Sequence, residues 1–478
     1  MSWGSAIGIV RARGSLRSLA RWLFLGTLVA APWLYGGTTA VTIEVIEILL
    51  GVTLAFWVAS FFVDRRRPNV PRTLAIVAGL ILVQGWWMVA NSHALYDSTF
   101  RTFVGLPSYL AGAPGSVDSA RSFAWMLRAT LLLGAVGLVA DMVQRPSWLV
   151  RLWFAIAVAG GSIALLGLLQ KATGAKMIFW APPVWPPMLD FFATYFYHAN
   201  AGAFLNLVFA PIAGLLFWTI RRGASTALRT LWLTLLFFVG LAILSNTSRM
   251  AQAVAGAICV VLVIAVMRPA RRMIAETERR TVILASVLVA ITVVAIAQAV
   301  RLDRPLQRWS ELSEQLPASV RWTAYWVALE GTGDAGFFGF GPATFQSVFP
   351  HYQQTFGNQP PGTWRFLHDD YLQTILEWGW VGSALIAALF LGGIGVGLRN
   401  YLRAEGWSTR QRILLSCVLL ALVGTAFHAI VDFPLQILSL QLFVATYLGV
   451  CWGSGKWDRK VEARTRMPEA EIARRPDR

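Results

Sequence analysis

Apolar runs of about 20 residues recur along almost the whole of this 478-residue chain. As an α-helix, a run of that length crosses about 30 Å of hydrocarbon. A soluble domain seldom contains such a run. Hydrophobic residues make up 56% of the chain, and charged residues only 14%, against roughly 25% in soluble domains. The sequence therefore predicts an all-α polytopic membrane protein.

About twelve of these runs are candidates for transmembrane helices. They lie near residues 19–37, 42–63, 73–90, 122–143, 149–169, 200–220, 228–245, 250–267, 281–300, 379–398, 411–431 and 433–452. This division predicts an N-terminal segment (1–18), spans one to nine (19–300), a large and partly helical loop (301–378), spans ten to twelve (379–452) and a basic tail (453–478).

The positive charge predicts the orientation of these spans. A net charge of +17 would suggest a nucleic-acid partner in a soluble protein. Here most of the 41 Lys and Arg residues fall in alternate connecting segments and in the two termini, as in the cytoplasmic segments of membrane proteins. We therefore expect both termini in the cytoplasm, the large loop outside, contact with anionic membrane lipids and no nucleic-acid partner.

Charged residues within or beside the predicted spans are candidates for function, because a charge is expensive in hydrocarbon. In this topology Glu44, Glu47, Arg128 and Asp432 all fall toward the outer face. Two interpretations remain open. Either Arg128 and Glu47 form a structural ion pair, or the set belongs to a polar cavity that is open to the outside and in which Arg128 meets an anion.

One group of motifs in the large loop is more specific. Gly339–Gly341 forms a G-x-G segment, His368-Asp369 follows, and after nine further residues come Gly379 and then Gly382 at the start of the tenth predicted span. No strand precedes the glycines, so the context excludes a dinucleotide site or a P-loop. The order of these motifs resembles that of the O-antigen ligase and polymerase superfamily, which comprises bacterial membrane glycosyltransferases with about twelve spans and a large periplasmic loop between the ninth and tenth.

Further segments match the same superfamily over residues 160–450. Ser245–Arg249 is similar to its Ser-x-x-x-Arg turn, and Arg321 is similar to an arginine that precedes the G-x-G segment. Tyr197–Gly202, which contains His198, resembles a segment rich in His and Asn at the start of the sixth span. The chain departs from the ligase pattern at Asp369, where ligases usually have Asn, Ser or Gln.

The resemblance implies an enzyme of the bacterial inner membrane. Such an enzyme moves a glycan from undecaprenyl diphosphate to an acceptor hydroxyl, such as one on lipid A-core, at the periplasmic face. The reaction must stabilise the charge that grows on the leaving diphosphate, and it must remove a proton from the acceptor.

Arginines are the candidates for the first requirement. The sequence contains no Asp-x-Asp pair that would hold a divalent metal, so no cofactor is expected. A guanidinium binds phosphate oxygens in a bidentate manner and is permanently charged. We assign Arg249 and Arg321 to the diphosphate, and Arg128 is a third candidate.

His368 is the candidate for the second requirement, because an imidazole titrates near neutral pH and accepts a proton there. In the alternative, His368 only positions the acceptor while the phosphate takes the proton. Asp369 or Asp370 is expected to orient His368. Tyr371 and His198, together with Asp369, are candidates for contacts with the substrates.

The acceptor itself is left open. A polymerase that joins repeat units on the lipid carrier, or a transferase that glycosylates protein, would use the same donor chemistry. A twelve-span transporter or lipid-glycan flippase belongs to another class. Such proteins often divide into two six-span halves around a central cytoplasmic loop, whereas the large loop here is external and off-centre.

Overall fold

The computed structural model describes residues 3–182, 191–275, 303–316, 319–355, 360, 362–403 and 406–457, with Arg280 and Val287. In chain order its helices are α1 (Trp3–Trp33), α2 (Ala40–Asp64), α3 (Arg72–Ala90), α4 (Ser119–Met142), α5 (Pro146–Ala172), α6 (His198–Arg221), α7 (Thr226–Ser245), α8 (Arg249–Ala275), α9 (Asp303–Ser310), α10 (Leu312–Gln315), α11 (Val320–Ala335), α12 (Phe345–Thr355), α13 (Asp370–Leu402), α14 (Thr409–His428) and α15 (Leu438–Gly453). Within the described residues, the only sheet is an antiparallel hairpin of β1 (Ala94–Asp97) and β2 (Thr102–Gly105).

The predicted class of fold is confirmed, because the described residues are mostly helical and include helices of membrane length. Eight of these helices, namely α2 to α7, α13 and α14, are long and apolar enough to cross a membrane. In α8 only the shorter part Arg249–Ala265 is apolar. The predicted ninth span lies outside the described residues apart from Val287. The count of about twelve spans and the division into loop and tail segments stay predictions.

Several helix ends differ from the predicted spans where Gly or Pro changes the path of the backbone. The first run was expected to continue to Gly37, but α1 ends at Trp33, and Gly36 and Gly37 form a turn at positive φ. The last run was expected from residue 433, but α15 begins at Leu438 after a 3-10 turn that starts at Pro434. Hydrophobicity continues through both turns, so it did not reveal them.

The helices α6 and α15 lie at the centre of the bundle and are buried along most of their length. Within α6, Pro211 has no N–H group, so Leu207 O loses its helical partner. The hydroxyl of Tyr447 in α15 donates to this carbonyl at 2.7 Å. Trp153 Nε1 in α5 donates to Pro211 O at 2.6 Å. These bonds join three helices at the break in the α6 hydrogen-bond ladder.

A buried ion pair joins α1 to α4 at the end of α4 that lies away from the large loop. Asp141 accepts from the guanidinium of Arg17, with 2.6 Å between Nη2 and Oδ1, and from the backbone N–H of Asn69 at 3.0 Å. Both side chains are almost fully buried. Together these contacts hold α1, α4 and the segment that contains Asn69 around the carboxylate of Asp141.

The described parts of the predicted large loop contain the helices α9 to α12. The helices α11 and α12 share a small core with the start of α13, which includes Val327, Phe345, Phe349, Leu367 and Leu376. This core places the G-x-G segment and His368 beside the first turns of α13.

Candidate active site

The G-x-G segment binds the first half of α13. That helix leaves helical geometry at Gly379, where φ is 62° and ψ is −171°, so carbonyls in the preceding turn lose their partners within the helix. The N–H of Phe340 donates to Leu376 O at 3.0 Å, and the N–H of Gly341 donates to Glu377 O at 2.9 Å. The segment therefore completes the hydrogen bonding of the bent helix.

Two of the glycines are required by this close approach. Gly339 has φ of 80°, and a Cβ there would lie 2.3 Å from Glu377 O. Gly379 has φ of 62°, and a Cβ there would lie 2.3 Å from Phe337 O. An L side chain would be strained at both positions and would displace backbone. This contact is a physical reason for two glycines of the motif by which the sequence resembles the superfamily.

The side chain of Glu377 fixes the start of α12. Its carboxylate accepts from the N–H of Ala343 at 3.1 Å, from the N–H of Phe345 at 3.2 Å and from Gln373 Nε2 at 3.0 Å. Three donors thus surround one buried carboxylate and hold the loop against α13.

His368 lies just before α13 and forms a pair with Asp432 from the turn between α14 and α15. The distance between Nδ1 and Asp432 Oδ1 is 3.2 Å. Because a carboxylate only accepts, Nδ1 carries the proton, and Nε2 of the neutral ring is left as an acceptor. In the part of the chain that the structure describes, no residue hydrogen-bonds to Nε2. His368 also has φ of 63°, a conformation uncommon for a residue other than Gly.

Asp432 is a carboxylate at neutral pH. Burial alone would raise the pKa of Asp432, but the hydrogen bond from His368 and the nearby His428 and Arg321 outweigh it, and the pKa lies below its usual value. An ionised partner fixes the tautomer of His368 and stabilises the imidazolium that forms when Nε2 takes a proton.

The expectation that Asp369 or Asp370 orients His368 is wrong. Asp369 caps α13, and its Oδ1 accepts from the N–H groups of Tyr371 at 2.9 Å and Leu372 at 3.0 Å. Asp370 is buried and accepts from the N–H of Leu435 at 2.8 Å. Each carboxylate is thus used by backbone N–H donors, and the partner of His368 Nδ1 is Asp432. A substrate contact of Asp369 stays a prediction.

Arg321 lies beside the His368–Asp432 pair. Its Nη1 donates to Val431 O at 2.7 Å, and its Nη2 donates to the hydroxyl of Tyr197 at 3.1 Å. Burial alone would lower the pKa of Arg321, but Tyr197 and Asp432 outweigh it and raise the pKa. Arg321 is thus a fixed positive charge next to His368.

The rings of Tyr197 and Phe433 contact each other and the imidazole of His368. Their rings stack with centroids 5.5 Å apart, and His368 meets them edge to face at 5.9 Å and 4.7 Å respectively. The two aromatic rings therefore form a wall against the imidazole.

Arg249 and His198 lie close to Arg308 of α9. Arg249 Nη1 donates to Arg308 O at 2.9 Å, and Arg308 Nη1 is 3.5 Å from His198 Nε2. Burial, followed by the positive charges of Arg308 and Arg321, lowers the pKa of Arg249. The structure thus brings the predicted residues Arg249, Arg321 and His198 to one cluster, to which it adds Arg308. Across the described ranges, no group of three or more His, Cys, Asp or Glu side chains is placed to hold a metal ion.

Tyr197 and Phe433 also line a cavity of about 810 Å³, and His368, Arg249 and Arg321 are not among its lining residues. Arg128 lines it and also forms an ion pair with Glu47, with 3.0 Å between Nε and Oε1. The ion pair is confirmed, and Arg128 also lines a cavity, but a contact of Arg128 with an anion stays a prediction. The cavity is lined by Gly37, Thr38, Thr39, Ala40, Ile43, Arg121, Ala124, Trp125, Arg128, Phe196, Tyr197, Asn200, Ala343, Phe345, Gln346, Arg365, Phe366, Gln373, Glu377, Phe433, Gln436 and Ile437.

Tyr371 lies at the contact between α13 and α14. Its hydroxyl donates to Ala426 O at 2.8 Å, and its ring is about half exposed. A contact of Tyr371 with sugar stays a prediction.

The sequence did not assign several residues of this region to the site. Asp432 was noted only as one of the outer charges, although its position beside a predicted span was a usable signal. Tyr197 lay in a matched segment without a role. No local sequence motif marks Arg121, Arg308 or Arg365 as a site residue, because only the fold brings them to the cluster or the cavity.

The fold and the site define a polytopic membrane protein with a His–Asp pair between an arginine cluster and a cavity. Residues 232–387 match the family model described as O-antigen ligase, a segment that includes Arg249, Arg321 and His368. The match supports membership of the chain in the O-antigen ligase superfamily, and in general terms a function of the ligase or polymerase type. A search among curated proteins gives no match.

Proposed function

We propose that the protein transfers a glycan from undecaprenyl diphosphate to a hydroxyl of an acceptor sugar, with lipid A-core as the acceptor. The observation that carries the proposal is the pair of His368 and Asp432, 3.2 Å apart and next to Arg321. His368 and Arg321 both fall within the segment that matches the O-antigen ligase family. The pattern of positive charge supports a periplasmic position for this pair in the bacterial inner membrane.

His368 is proposed as the general base. Its Nε2 takes the proton of the acceptor hydroxyl, while the oxygen of that hydroxyl attacks the anomeric carbon of the donor sugar. The bond from this carbon to the phosphate oxygen breaks, and its electron pair leaves with undecaprenyl diphosphate. Asp432 stabilises the imidazolium that results, in the manner of the carboxylate of a catalytic triad.

Arg249 and Arg321 are proposed to stabilise the charge on the leaving diphosphate. The groups that hold Arg321, Val431 O and the hydroxyl of Tyr197, use only part of its five N–H donors, so others remain for phosphate oxygens. Arg308 adds a third positive charge to the same cluster. This arrangement needs no metal, because guanidinium groups supply the compensating charge.

A rescue experiment separates a base from a positioning residue at His368. We expect His368→Ala to lose transfer and added imidazole to restore part of it, because free imidazole accepts the proton in the vacated space. If instead the phosphate takes the proton and His368 only positions the acceptor, imidazole will not restore the rate. Rescue is measured on protein reconstituted into vesicles, with His351→Ala as the matched control.

Deletion of the gene distinguishes the ligase from the polymerase. The ligase predicts long glycans that stay on the lipid carrier and never reach lipid A-core, because only the last transfer is lost. A lipid A-core that carries a single repeat unit would instead identify a polymerase. Glycan trapped on the cytoplasmic side would contradict both and identify a flippase.

A further inference from the structure

The cavity beside Tyr197 and Phe433 is lined by three arginines and one acidic residue, Glu377, and one of these arginines has no ion-pair partner among the described residues. We name it the arginine cavity after three of its lining residues, Arg121, Arg128 and Arg365. We propose that the arginine cavity binds an anionic group of the acceptor glycan, a phosphate or a carboxylate, with Arg365 as its main contact. This inference rests on the proposed function, since it names the chemical class of the acceptor.

The three arginines differ in their partners. Arg128 pairs with Glu47 at 3.0 Å, and Arg121 pairs with Asp118 at 3.2 Å. Arg365 forms no ion pair with any residue that the structure describes. It is exposed and lines the cavity, so a ligand that enters from solvent meets it. One positive charge is thus open to an anion, and two held arginines stand near it.

Repulsion among Arg121, Arg128 and Arg365 favours the binding of an anion in the cavity. Partial burial, followed by the positive charges of Arg121 and Arg128, lowers the pKa of Arg365. An arginine stays charged under these conditions, so the repulsion persists until an anion relieves it. Glu377 also lines the cavity, but its carboxylate is already bound to backbone N–H groups and Gln373.

The position of the cavity fits an acceptor rather than the donor. Arg249 and Arg321, which are proposed for the diphosphate, do not line it. The cavity meets His368 only through the shared wall of Tyr197 and Phe433. An acceptor held at Arg365 would therefore lie beside two rings that contact the imidazole, whereas the diphosphate is proposed for Arg249 and Arg321, which are not part of this cavity. Separate sets of arginines keep the two anionic substrates apart.

The test measures transfer to lipid A-core by full-length protein in vesicles that contain the glycan-bearing lipid diphosphate. The acceptor is used in its native form, after phosphatase treatment and after reduction of its carboxyl groups. We expect one of these treatments to raise the acceptor KM of the wild type about tenfold to a hundredfold, the range for loss of a charged hydrogen-bonding partner. The sensitive treatment tells a phosphate from a carboxylate.

Variants of Arg365 connect this effect to the cavity. Arg365→Gln is expected to raise the KM for native acceptor by a similar factor, to leave the donor KM unchanged and to abolish the difference between native and treated acceptor. Arg365→Lys keeps the charge, so its KM for native acceptor should lie between that of the wild type and that of Arg365→Gln. Arg101→Gln, at an exposed arginine in the hairpin turn, is the matched control and should behave as wild type.

Three results would overturn the inference. The first is a wild type that accepts both treated acceptors as well as the native one, a comparison that needs no variant. The second is Arg365→Gln with the wild-type acceptor KM. The third is a rise in donor KM alone, which would assign the cavity to the diphosphate. Absence of transfer by the wild type to any acceptor would instead overturn the proposed function, and this inference with it.

Discussion

Among single residues, His368 depends most on a partner that is distant in the sequence. The motif around His368 predicted that this residue is a base and lies at the start of a helix. It also suggested the neighbouring residues Asp369 and Asp370 as hydrogen-bond partners of the imidazole. The helix start uses Asp369 as its cap, so the imidazole pairs with Asp432 instead. Local spacing identifies the reactive residue, whereas its partner depends on how two separate segments pack.

Asp432→Asn is the residue-scale test of the pair and carries a prediction about pH. The pKa of Asp432 is lowered in the folded protein, so its contribution to stability is fully present above the unfolded value of about 3.9. That contribution is lost as pH falls through the lower, folded value. We expect the wild type to exceed Asp432→Asn in thermal midpoint throughout the range from pH 7 to about 5. The gap should close only below about pH 4.

Thermal unfolding of both purified proteins across this pH range checks the prediction. The matched control is Asp97→Asn, at an aspartate in the β-hairpin. If the difference in thermal midpoint disappeared near pH 6, the pairing of His368 with an ionised Asp432 would be contradicted. Such a result would mean that Asp432 is already protonated at a pH where His368 is expected to need a carboxylate partner.

Arg321→Lys tests the geometry at the diphosphate site. A lysine keeps the positive charge but cannot hold Val431 O and the hydroxyl of Tyr197 in a planar fork while it also binds phosphate. We expect kcat/KM for the donor to fall about tenfold or more. Steady-state transfer measures this effect, with Arg101→Lys as the control. An unchanged value for Arg321→Lys would show that charge alone is sufficient.

Within the elements, the bend of α13 at Gly379 explains why the G-x-G segment exists. The sequence predicted apolar helices well, because every helix that crosses hydrocarbon must satisfy its backbone internally and must be apolar outside. The helix of the tenth predicted span starts at Asp370, ahead of the apolar run that hydropathy marked from residue 379. The early part is polar and packs on the loop, so hydropathy does not mark it.

Gly339→Ala tests this contact. A methyl group there would meet Glu377 O at 2.3 Å, with φ of 80°, so we expect the variant to lose about 2 kcal/mol or more of stability and to expose the loop to protease. Gly333→Ala is the matched control, because it lies within α11 with open space around it and should be neutral or slightly stabilising. Thermal unfolding and limited proteolysis of both variants give the comparison. Equal stability of the two would refute the requirement for glycine.

Asp141→Ala tests the contact between α1 and α4. Removal of the carboxylate leaves the buried guanidinium of Arg17 without its partner, which in general costs about 3–5 kcal/mol. We expect a marked fall in thermal midpoint, whereas Asp64→Ala, at the end of α2, should have a small effect. A wild-type midpoint for Asp141→Ala would mean that the pair is not needed for the packing of these helices.

For the whole molecule, two separate regions of positive charge accompany His368. One is the cluster of Arg249, Arg308 and Arg321, and the other is the arginine cavity. Composition and the order of motifs were sufficient to predict the class of membrane fold and the superfamily. A polar cavity at Arg128 was one of two interpretations, but neither composition nor motif order could add Arg121 and Arg365 to it, because these arginines come from segments more than 200 residues apart that meet only in the folded protein.

The most direct test of the central claim is the rate of glycan transfer in a single turnover. Wild type and His368→Ala are reconstituted into vesicles with glycan-bearing undecaprenyl diphosphate and lipid A-core. Size-exclusion chromatography and thermal unfolding show that both are folded. The proposed role of His368 predicts that the rate falls about 10²- to 10⁴-fold in His368→Ala, the usual contribution of a general base. A wild-type rate in the folded variant would contradict it.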